Sequence, residues 1–154
     1  MKIYRIGQTK YARDTRGSGI DGRWNSLGRY VIYFGGSLAL SCLEKLVHTP
    51  GTSLYTGDFS VTIAEVPDRL PVKEVTLKEL VKLDPDWNKV INYPITQAIG
   101  DTWLQSLETA VLKVPSAIIE MEYNYLVNPA HPDFNKIKFV AVNKFTFDNR
   151  LKAN

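Results

Sequence analysis

The stretch Tyr30-Val31-Ile32-Tyr33-Phe34-Gly35-Gly36-Ser37 indicates the architecture of this chain. Its first five residues are β-branched or aromatic, a composition that favours a short strand. Two glycines break this strand, and the hydroxyl of Ser37 can accept a backbone N–H at the start of a helix. The residues that follow carry leucine and valine at helical spacing, so we predict a helix from Ser37 to about His48.

Patterns of the same kind extend in both directions from this strand–helix unit. Pro50-Gly51 is predicted to end the helix, and the glycine-rich polar segment from Gly7 to Arg29 is typical of a functional loop. A capping box at Thr76 indicates a further helix start. We predict an α+β fold, a single domain over 1–154 with a mixed β-sheet and flanking helices. The other predicted elements are strands at 2–6, 59–66, 110–114, 117–119, 123–127 and 138–147, and a helix at about 94–107.

The composition is that of an ordinary globular protein. Hydrophobic residues make up 44% of the 154 residues and charged residues 23%, which excludes a disordered or fibrous chain. No apolar run approaches the roughly 20 residues needed to span a membrane, and the N-terminus lacks a signal-peptide pattern, so we expect a cytoplasmic protein. Cys42 is the only cysteine, so an intrachain disulfide is impossible. We interpret Cys42 as a small buried residue rather than a nucleophile.

The net charge of +3 is small and has no run of five basic residues, so the sequence gives little support for nucleic-acid binding. The basic residues near the N-terminus nevertheless lie in one region. They fit a solvated loop and an anion site for a phosphorylated ligand equally well. These residues are Lys10, Arg13, Arg16, Arg23 and Arg29.

Three side chains around the opening stretch suggest a reaction. Arg23, in Asp21-Gly22-Arg23-Trp24-Asn25, offers a planar fork that suits phosphates. Tyr33 offers a ring for stacking, and Glu44 lies at the edge of the predicted buried face of the helix. A carboxylate there can stabilise a cationic sugar, as in glycoside hydrolysis. Taken singly, Tyr33 and Glu44 are better interpreted as a core tyrosine and a surface glutamate, and Arg23 can be interpreted as a solvated loop arginine.

Taken together with later motifs, these residues resemble the RES-domain toxins of bacterial RES–Xre toxin–antitoxin pairs. The resemblance covers almost the whole chain, and several ordered motifs are stronger evidence than one. Ser26 stands where the family often has proline and Asp21 where a second glycine is common, which alters the expected stiffness of the loop. The matching motifs are Tyr4-Arg5, Gly17-Ser18-Gly19, Gly22-Arg23-Trp24-Asn25, Tyr33, Glu44, Pro115-Ser116, Gly100-Asp101-Thr102-Trp103-Leu104 and Asn124-Tyr125-Leu126-Val127-Asn128-Pro129.

The resemblance implies a fold like that of ADP-ribosyltransferases and an enzyme that consumes NAD+ as substrate rather than as cofactor. It also implies an Xre-type antitoxin as partner, with no direct contact to nucleic acid or membrane. We expect Ser116 to orient Glu44 or the ribose, since no His–acid pair stands near it to activate a nucleophile. The catalytic residues implied are Arg23, Tyr33, Glu44 and Ser116; the substrate-binding residues are Arg5, Arg13, Trp24, Asn25, Ser37 and Asn124.

Some alternatives remain open from the sequence. The acceptor of the ADP-ribose group is water, inorganic phosphate or a macromolecule, the last making the protein an ADP-ribosyltransferase. A non-enzymatic binding module is a third interpretation, motivated by the basic loop. His48 and His131 lack a second ligand at suitable spacing, so we predict no metal site.

Overall fold

The structure, a computed structural model, describes residues 1–152. These residues form strands, α-helices and short 3₁₀ turns. The predicted domain's last two residues, 153 and 154, lie outside this range. The strands are β1 (Lys2–Gln8), β2 (Ile32–Gly35), β3 (Phe59–Glu65), β4 (Val72–Glu74), β5 (Val111–Pro115), β6 (Tyr123–Val127) and β7 (Lys138–Phe145). The α-helices are α1 (Leu38–Val47), α2 (Gly51–Thr56), α3 (Leu77–Leu83) and α4 (Tyr93–Ser106). Short 3₁₀ turns lie at Thr9–Tyr11, Val90–Asn92, Pro132–Lys136 and Asn149–Lys152.

All these strands belong to one sheet, in the order β4-β5-β6-β2-β1-β3-β7. Strands β4 and β5 run parallel, and each of the other neighbouring pairs runs antiparallel. The prediction of an α+β fold with a mixed sheet is therefore confirmed. The order also shows that β6, which is late in the sequence, lies between β2 and β5.

The sheet has two differently covered faces. Strand register places Ile3, Phe34 and Val127 on one face, in a core closed by loop residues such as Leu70 and Ile137. The helices cover the opposite face with two further clusters. One cluster joins α3, α4 and the loop around Trp24 to the sheet, and the other joins α1 and α2 to β1 and β3. We call these the loop face and the helix face.

Helix α1 lies very close to the helix face. Ser41, in the first turns of α1, donates its hydroxyl to the carbonyl of Tyr4 on β1 at 2.8 Å. Any side chain at Gly35 would collide with Ser41, so the glycine after the strand both breaks β2 and admits the helix. The predicted capping role of Ser37 is confirmed, because its Oγ accepts the N–H of Leu40 at 3.0 Å.

One prediction of local structure was wrong, and two elements, α2 and β4, were missed. Residues 117–119 form a turn rather than a strand, because the hydroxyl of Ser116 accepts the N–H groups of Ile118 and Ile119. Helix α1 ends before Pro50-Gly51, as predicted, but the same pair also begins α2, since proline, which has no N–H, suits the start of a helix. Strand β4 was missed because it has only three residues and is paired on one side. Within the described residues, no helix has the length and apolar character to cross a membrane.

Candidate active site

The centre of the candidate site is the carboxylate of Glu44. It lies on α1, and its Oε1 accepts two hydrogen bonds, from Ser116 Oγ at 3.0 Å and from Asn124 Nδ2 at 2.5 Å. Ser116 follows β5 and Asn124 lies on β6, so three separate segments meet at one oxygen atom. Among the described residues, no hydrogen bond is donated to Oε2, so this oxygen is available to a ligand.

Ser116 is held in place by its own turn. The residue is fully buried, and its Oγ accepts the N–H groups of Ile118 at 3.0 Å and Ile119 at 3.1 Å. With both lone pairs engaged, the hydroxyl hydrogen is directed at Glu44. The expectation that Ser116 orients Glu44 thus has the required contact in the structure.

The loop that carries Arg23 is fixed by α4. Thr96 donates its hydroxyl to the carbonyl of Arg23 at 2.5 Å, and Gln97 donates its amide to the carbonyl of Gly22 at 2.9 Å. Asp101 accepts both the N–H and the hydroxyl of Ser26, at 3.0 and 2.5 Å. Proline, the usual family residue at Ser26, could make neither bond, so here hydrogen bonds to α4 restrain the loop.

The guanidinium of Arg23 lies in a cradle of aromatic rings and carbonyl groups. Its centre is 4.7 Å from the Tyr93 ring centroid and 5.8 Å from that of Trp87. Nη1 donates to the carbonyl of Trp87 at 3.1 Å and Nη2 to that of Asn88 at 2.7 Å. These two bonds use two of the five N–H groups, so the others remain for a ligand.

Arg23 and Glu44 belong to the same electrostatic environment. Burial lowers the pKa of Arg23, and Tyr93, Glu44 and Tyr33 act in the opposite direction. The arginine stays charged in either case. The carboxylate of Glu44 is close enough to influence the guanidinium of Arg23, and no salt bridge joins the two groups within the described residues.

Tyr33 connects the sheet to the arginine loop. Its hydroxyl donates to Asn25 Oδ1 at 2.6 Å and accepts the N–H of Trp24 at 3.1 Å. Burial raises the pKa of Tyr33 above its ordinary value, so the phenol remains protonated and can keep donating. The proposed stacking surface is therefore also a support for the loop.

Trp24 and Asn25 lie inside the protein rather than on an exposed surface beside Glu44. Trp24 is 3% exposed and packs between the sheet and α4. Asn25 is 1% exposed, and its Nδ2 donates to the carbonyls of Ile20 and Arg29 at 2.8 and 3.0 Å. In this conformation both residues hold the loop together, and their predicted contact with substrate stays a prediction.

The remaining predicted residues, Ser37, Arg5 and Arg13, contact parts of the fold other than Glu44. Ser37 caps α1 and donates its hydroxyl to Glu122 Oε2 at 2.8 Å. Arg5 extends over the loop face, with its guanidinium 6.0 Å from the ring centroid of Phe34. Arg13 lines a separate cavity of about 330 Å³ beside Thr62 and β7. The structure therefore brings Arg23, Tyr33, Glu44, Ser116 and Asn124 together and does not bring Arg5 or Arg13 to them.

Sequence reasoning missed the side chains that support the loop. Tyr93, Thr96, Gln97 and Asp101 lie on one helix whose apolar spacing was recognised but whose polar residues were not assigned a role. Their hydrogen bonds span more than seventy residues, and no local pattern encodes contacts that distant. The motif Gly100-Asp101 was the available signal.

No group of three or more His, Cys, Asp or Glu side chains within residues 1–152 has the arrangement of a metal site. The polar groups of the site are instead one carboxylate, its two donors, a caged arginine and tyrosine rings. Such a set suits an organic ligand that carries both anionic groups and an aromatic ring.

Comparisons with known proteins define the class of this protein. Residues 2–148 match the RES domain family, and the chain therefore belongs to that family. Over 153 residues it is 37% identical to "Prs ADP-ribosylating toxin" of Sphingobium sp. (strain YBL2), an alignment that covers 97% of this chain and 94% of the relative. It is 33% identical over 156 residues to "Toxin Res" of Photorhabdus laumondii, covering 98% and 97% of the two chains.

A solved structure has the same fold. A chain of the M. tuberculosis MbcT–MbcA toxin–antitoxin complex superposes with a TM-score of 0.75, at 19% identity, over 94% of this chain and 84% of that one. At this identity the similarity establishes the shared architecture, while the family assignment rests on the sequence comparisons.

Proposed function

We propose that this protein is the toxin of a toxin–antitoxin pair and that it cleaves NAD+ between nicotinamide and ribose. The observation that carries the proposal is the arrangement of Glu44: its Oε1 is fixed by Ser116 and Asn124, its Oε2 accepts no hydrogen bond from the described residues, and its charge acts on Arg23. The names of the relatives support the part of the proposal that makes this protein a toxin.

The reaction breaks the bond between ribose C1′ and the nicotinamide nitrogen, and the bonding pair leaves with nicotinamide. Because nicotinamide departs as a neutral molecule, no general acid is required. The ribose becomes an oxocarbenium-like cation, which Glu44 stabilises through its charge and through a hydrogen bond from a ribose hydroxyl to Oε2. An acceptor oxygen then bonds to C1′ and releases its proton to solvent.

The other groups hold the substrate. Arg23 binds a diphosphate oxygen or the ribose on the nicotinamide side through its remaining N–H groups. Tyr33 offers its ring to nicotinamide. Arg5 and Arg13 lie on the loop face, away from Glu44, so we propose that the substrate is held by Arg23, and binding of phosphate by Arg5 and Arg13 stays a prediction.

The decisive experiment is NAD+ turnover by the purified protein, with and without inorganic phosphate, with the products resolved by chromatography. We expect loss of NAD+ and release of free nicotinamide. ADP-ribose as the second product identifies water as acceptor, whereas its phosphorylated form, appearing only with phosphate, identifies phosphorolysis. Intact NAD+ with folded, antitoxin-free protein would contradict the proposal.

A matched pair of variants tests the role of Glu44. Glu44→Gln retains the hydrogen-bonding shape but removes the charge, and we expect kcat to fall by about 10²–10³-fold. Glu108→Gln removes an exposed carboxylate that pairs with Lys73, and should leave turnover unchanged. Equal turnover in both variants would remove Glu44 from the mechanism.

A second function is favoured by one specific observation, the name of the Sphingobium relative, which describes ADP-ribosylation of Prs. In this alternative, the acceptor is a macromolecule that approaches the ribose bound at Glu44. Labelled NAD+ in cell lysate separates the two functions: label in a protein or nucleic-acid band supports transfer, and label confined to small molecules supports NAD+ degradation.

The proposed partner is an Xre-type antitoxin with a helix-turn-helix. Support comes from the solved structure with the same fold, which is a toxin–antitoxin complex. Co-expression with the neighbouring gene should yield a stable complex in which NAD+ turnover is suppressed. Full NAD+ turnover in such a complex would argue against inhibition by occlusion of the cleft.

A further inference from the structure

The cradle around Arg23 includes Tyr93, a residue that has no role in the reaction proposed above. Tyr93 is the first residue of α4, half-buried, and its ring is the closer of the two that flank the guanidinium. Its presence raises the pKa of both Arg23 and Tyr33, which places it near both of these residues. Its ring therefore lies beside the guanidinium that Glu44 also influences.

Tyr93 completes the restraint of Arg23. The carbonyls of Trp87 and Asn88 fix one N–H on each terminal nitrogen, but hydrogen bonds at one edge leave the guanidinium plane free to tilt. The rings of Tyr93 and Trp87 restrict that tilt by cation–π contact. A guanidinium held in this way has its free N–H groups oriented before a ligand arrives.

The position of Tyr93 is itself well determined. Tyr93 is followed by Pro94 in the first turn of α4, where proline fixes the backbone. One turn further, Thr96 binds the carbonyl of Arg23 at 2.5 Å and also contacts the carbonyl of Tyr93 at 3.2 Å. The same helix end thus holds both the backbone and the side chain of Arg23.

We infer that Tyr93 is a positioning residue whose ring keeps Arg23 oriented for an anionic group of the dinucleotide. This inference deepens the proposed function and rests on it. The ring, not the hydroxyl, performs the role, because the contact is with the ring face. Tyr93 therefore affects ligand affinity through Arg23 and leaves the events at Glu44 unchanged.

The test compares Tyr93→Leu with Tyr93→Phe. Loss of the ring in Tyr93→Leu should raise the Kd for ADP-ribose and the KM for NAD+ about tenfold, with kcat within twofold of the native value. Tyr93→Phe keeps the ring and should restore native affinity. Tyr11→Leu is the matched control, since Tyr11 stacks with Lys10 at 4.8 Å in an exposed position.

Calorimetric titration of ADP-ribose gives a readout that is independent of turnover, and thermal unfolding checks that each variant is folded. Native affinity in folded Tyr93→Leu would overturn the inference while leaving the proposed function intact. Equal losses in the Leu and Phe variants would assign the effect to the hydroxyl and also overturn it. If the native protein neither binds ADP-ribose nor consumes NAD+, the proposed function fails and the inference fails with it.

Discussion

Arg23 and Arg5 are two arginines with the same sequence interpretation and different surroundings. Burial lowers the pKa of each, each donates to backbone carbonyls, and each lies near an aromatic ring. Arg5 directs Nη2 at three carbonyls, those of Tyr11, Ala12 and Asp14, at 2.9, 3.3 and 3.2 Å. Arg23 donates through both Nη1 and Nη2 to two carbonyls, and the carboxylate that influences it is that of Glu44.

The difference shows how to separate an arginine that holds the fold from one that is available to a ligand. Arg5 closes the loop after β1 on the loop face, with Asp14 as its nearby charge. Arg23 is held by its neighbours under the influence of the Glu44 carboxylate, and we propose that its remaining N–H groups are available to a ligand. The predictions below test this distinction, from the largest expected effect to the smallest.

The largest effect is expected from Gly100→Ala. A Cβ at this position would overlap the carbonyl oxygen of Trp24, so α4 and the arginine loop could no longer lie in contact. We expect a loss of about 3 kcal/mol in the free energy of unfolding together with weaker NAD+ binding. Urea unfolding and turnover assays measure both effects.

Gly7→Ala is the control for this substitution, because a Cβ there meets nothing within 4 Å. It should leave both stability and turnover close to native. If Gly100→Ala were equally well tolerated, the close packing of the loop on α4 would not be what positions Arg23.

The next prediction compares the two arginines directly. Arg23→Ala should lower kcat/KM about 100-fold, because charge-assisted hydrogen bonds to the substrate are lost, with a smaller change in stability. Arg5→Ala should instead cost about 2 kcal/mol in the free energy of unfolding, since the partly buried carbonyls of Ala12 and Asp14 each lose a charged donor. Its KM for NAD+ should change less than threefold. A tenfold rise in KM without a loss of stability would show that Arg5 binds substrate, as the sequence suggests.

Removing the donors to Glu44 should have an intermediate effect. In Ser116→Ala and Asn124→Ala one hydrogen bond to Oε1 is lost and the other remains, so we expect kcat to fall about tenfold in each. The double variant should lose more than the product of the two, because Glu44 then has no restraint. Steady-state kinetics of the three variants measures this coupling, and strict additivity would contradict the shared role.

The smallest effect concerns pH and Tyr33. Burial raises the pKa of its phenol in the folded state, so unfolding becomes easier once an unfolded tyrosine can ionise. The contribution of Tyr33 to stability is complete below about pH 10 and is lost as the pH rises through the folded pKa. Tyr33→Phe should therefore show a shallower loss of stability above pH 10. Parallel stability curves would show that Tyr33 is not protected from ionisation.

Much of the fold followed from local patterns, and the exceptions have physical causes. Strand β2, the cap at Ser37 and helix α1 were predictable because each depends on neighbouring residues. Residues 117–119 have an apolar strand-like composition, but one buried hydroxyl at Ser116 determines a turn instead. Composition alone does not reveal such a side-chain contact to the backbone.

The carboxylate of the candidate site, Glu44, could be picked out in the sequence, but the residues that hold Arg23 could not. Glu44 and Ser116 were identified through motifs, and the structure joins them by a hydrogen bond. The cradle of Arg23 depends on Trp87 and Tyr93, which lie more than sixty residues further along the chain. Sequence periodicity carries no information about which distant helix end will meet a given loop.

The position of β6 within the sheet has a consequence during protein synthesis. This strand lies between β2 and β5 and carries Asn124, so a ribosome-bound chain that ends before residue 123 has neither the complete sheet nor both donors to Glu44. The support of Glu44 can be completed only when most of the polypeptide has left the exit tunnel. For an interval set by the rate of translation, the new chain therefore carries an unfinished sheet and a Glu44 side chain that lacks one of its two donors.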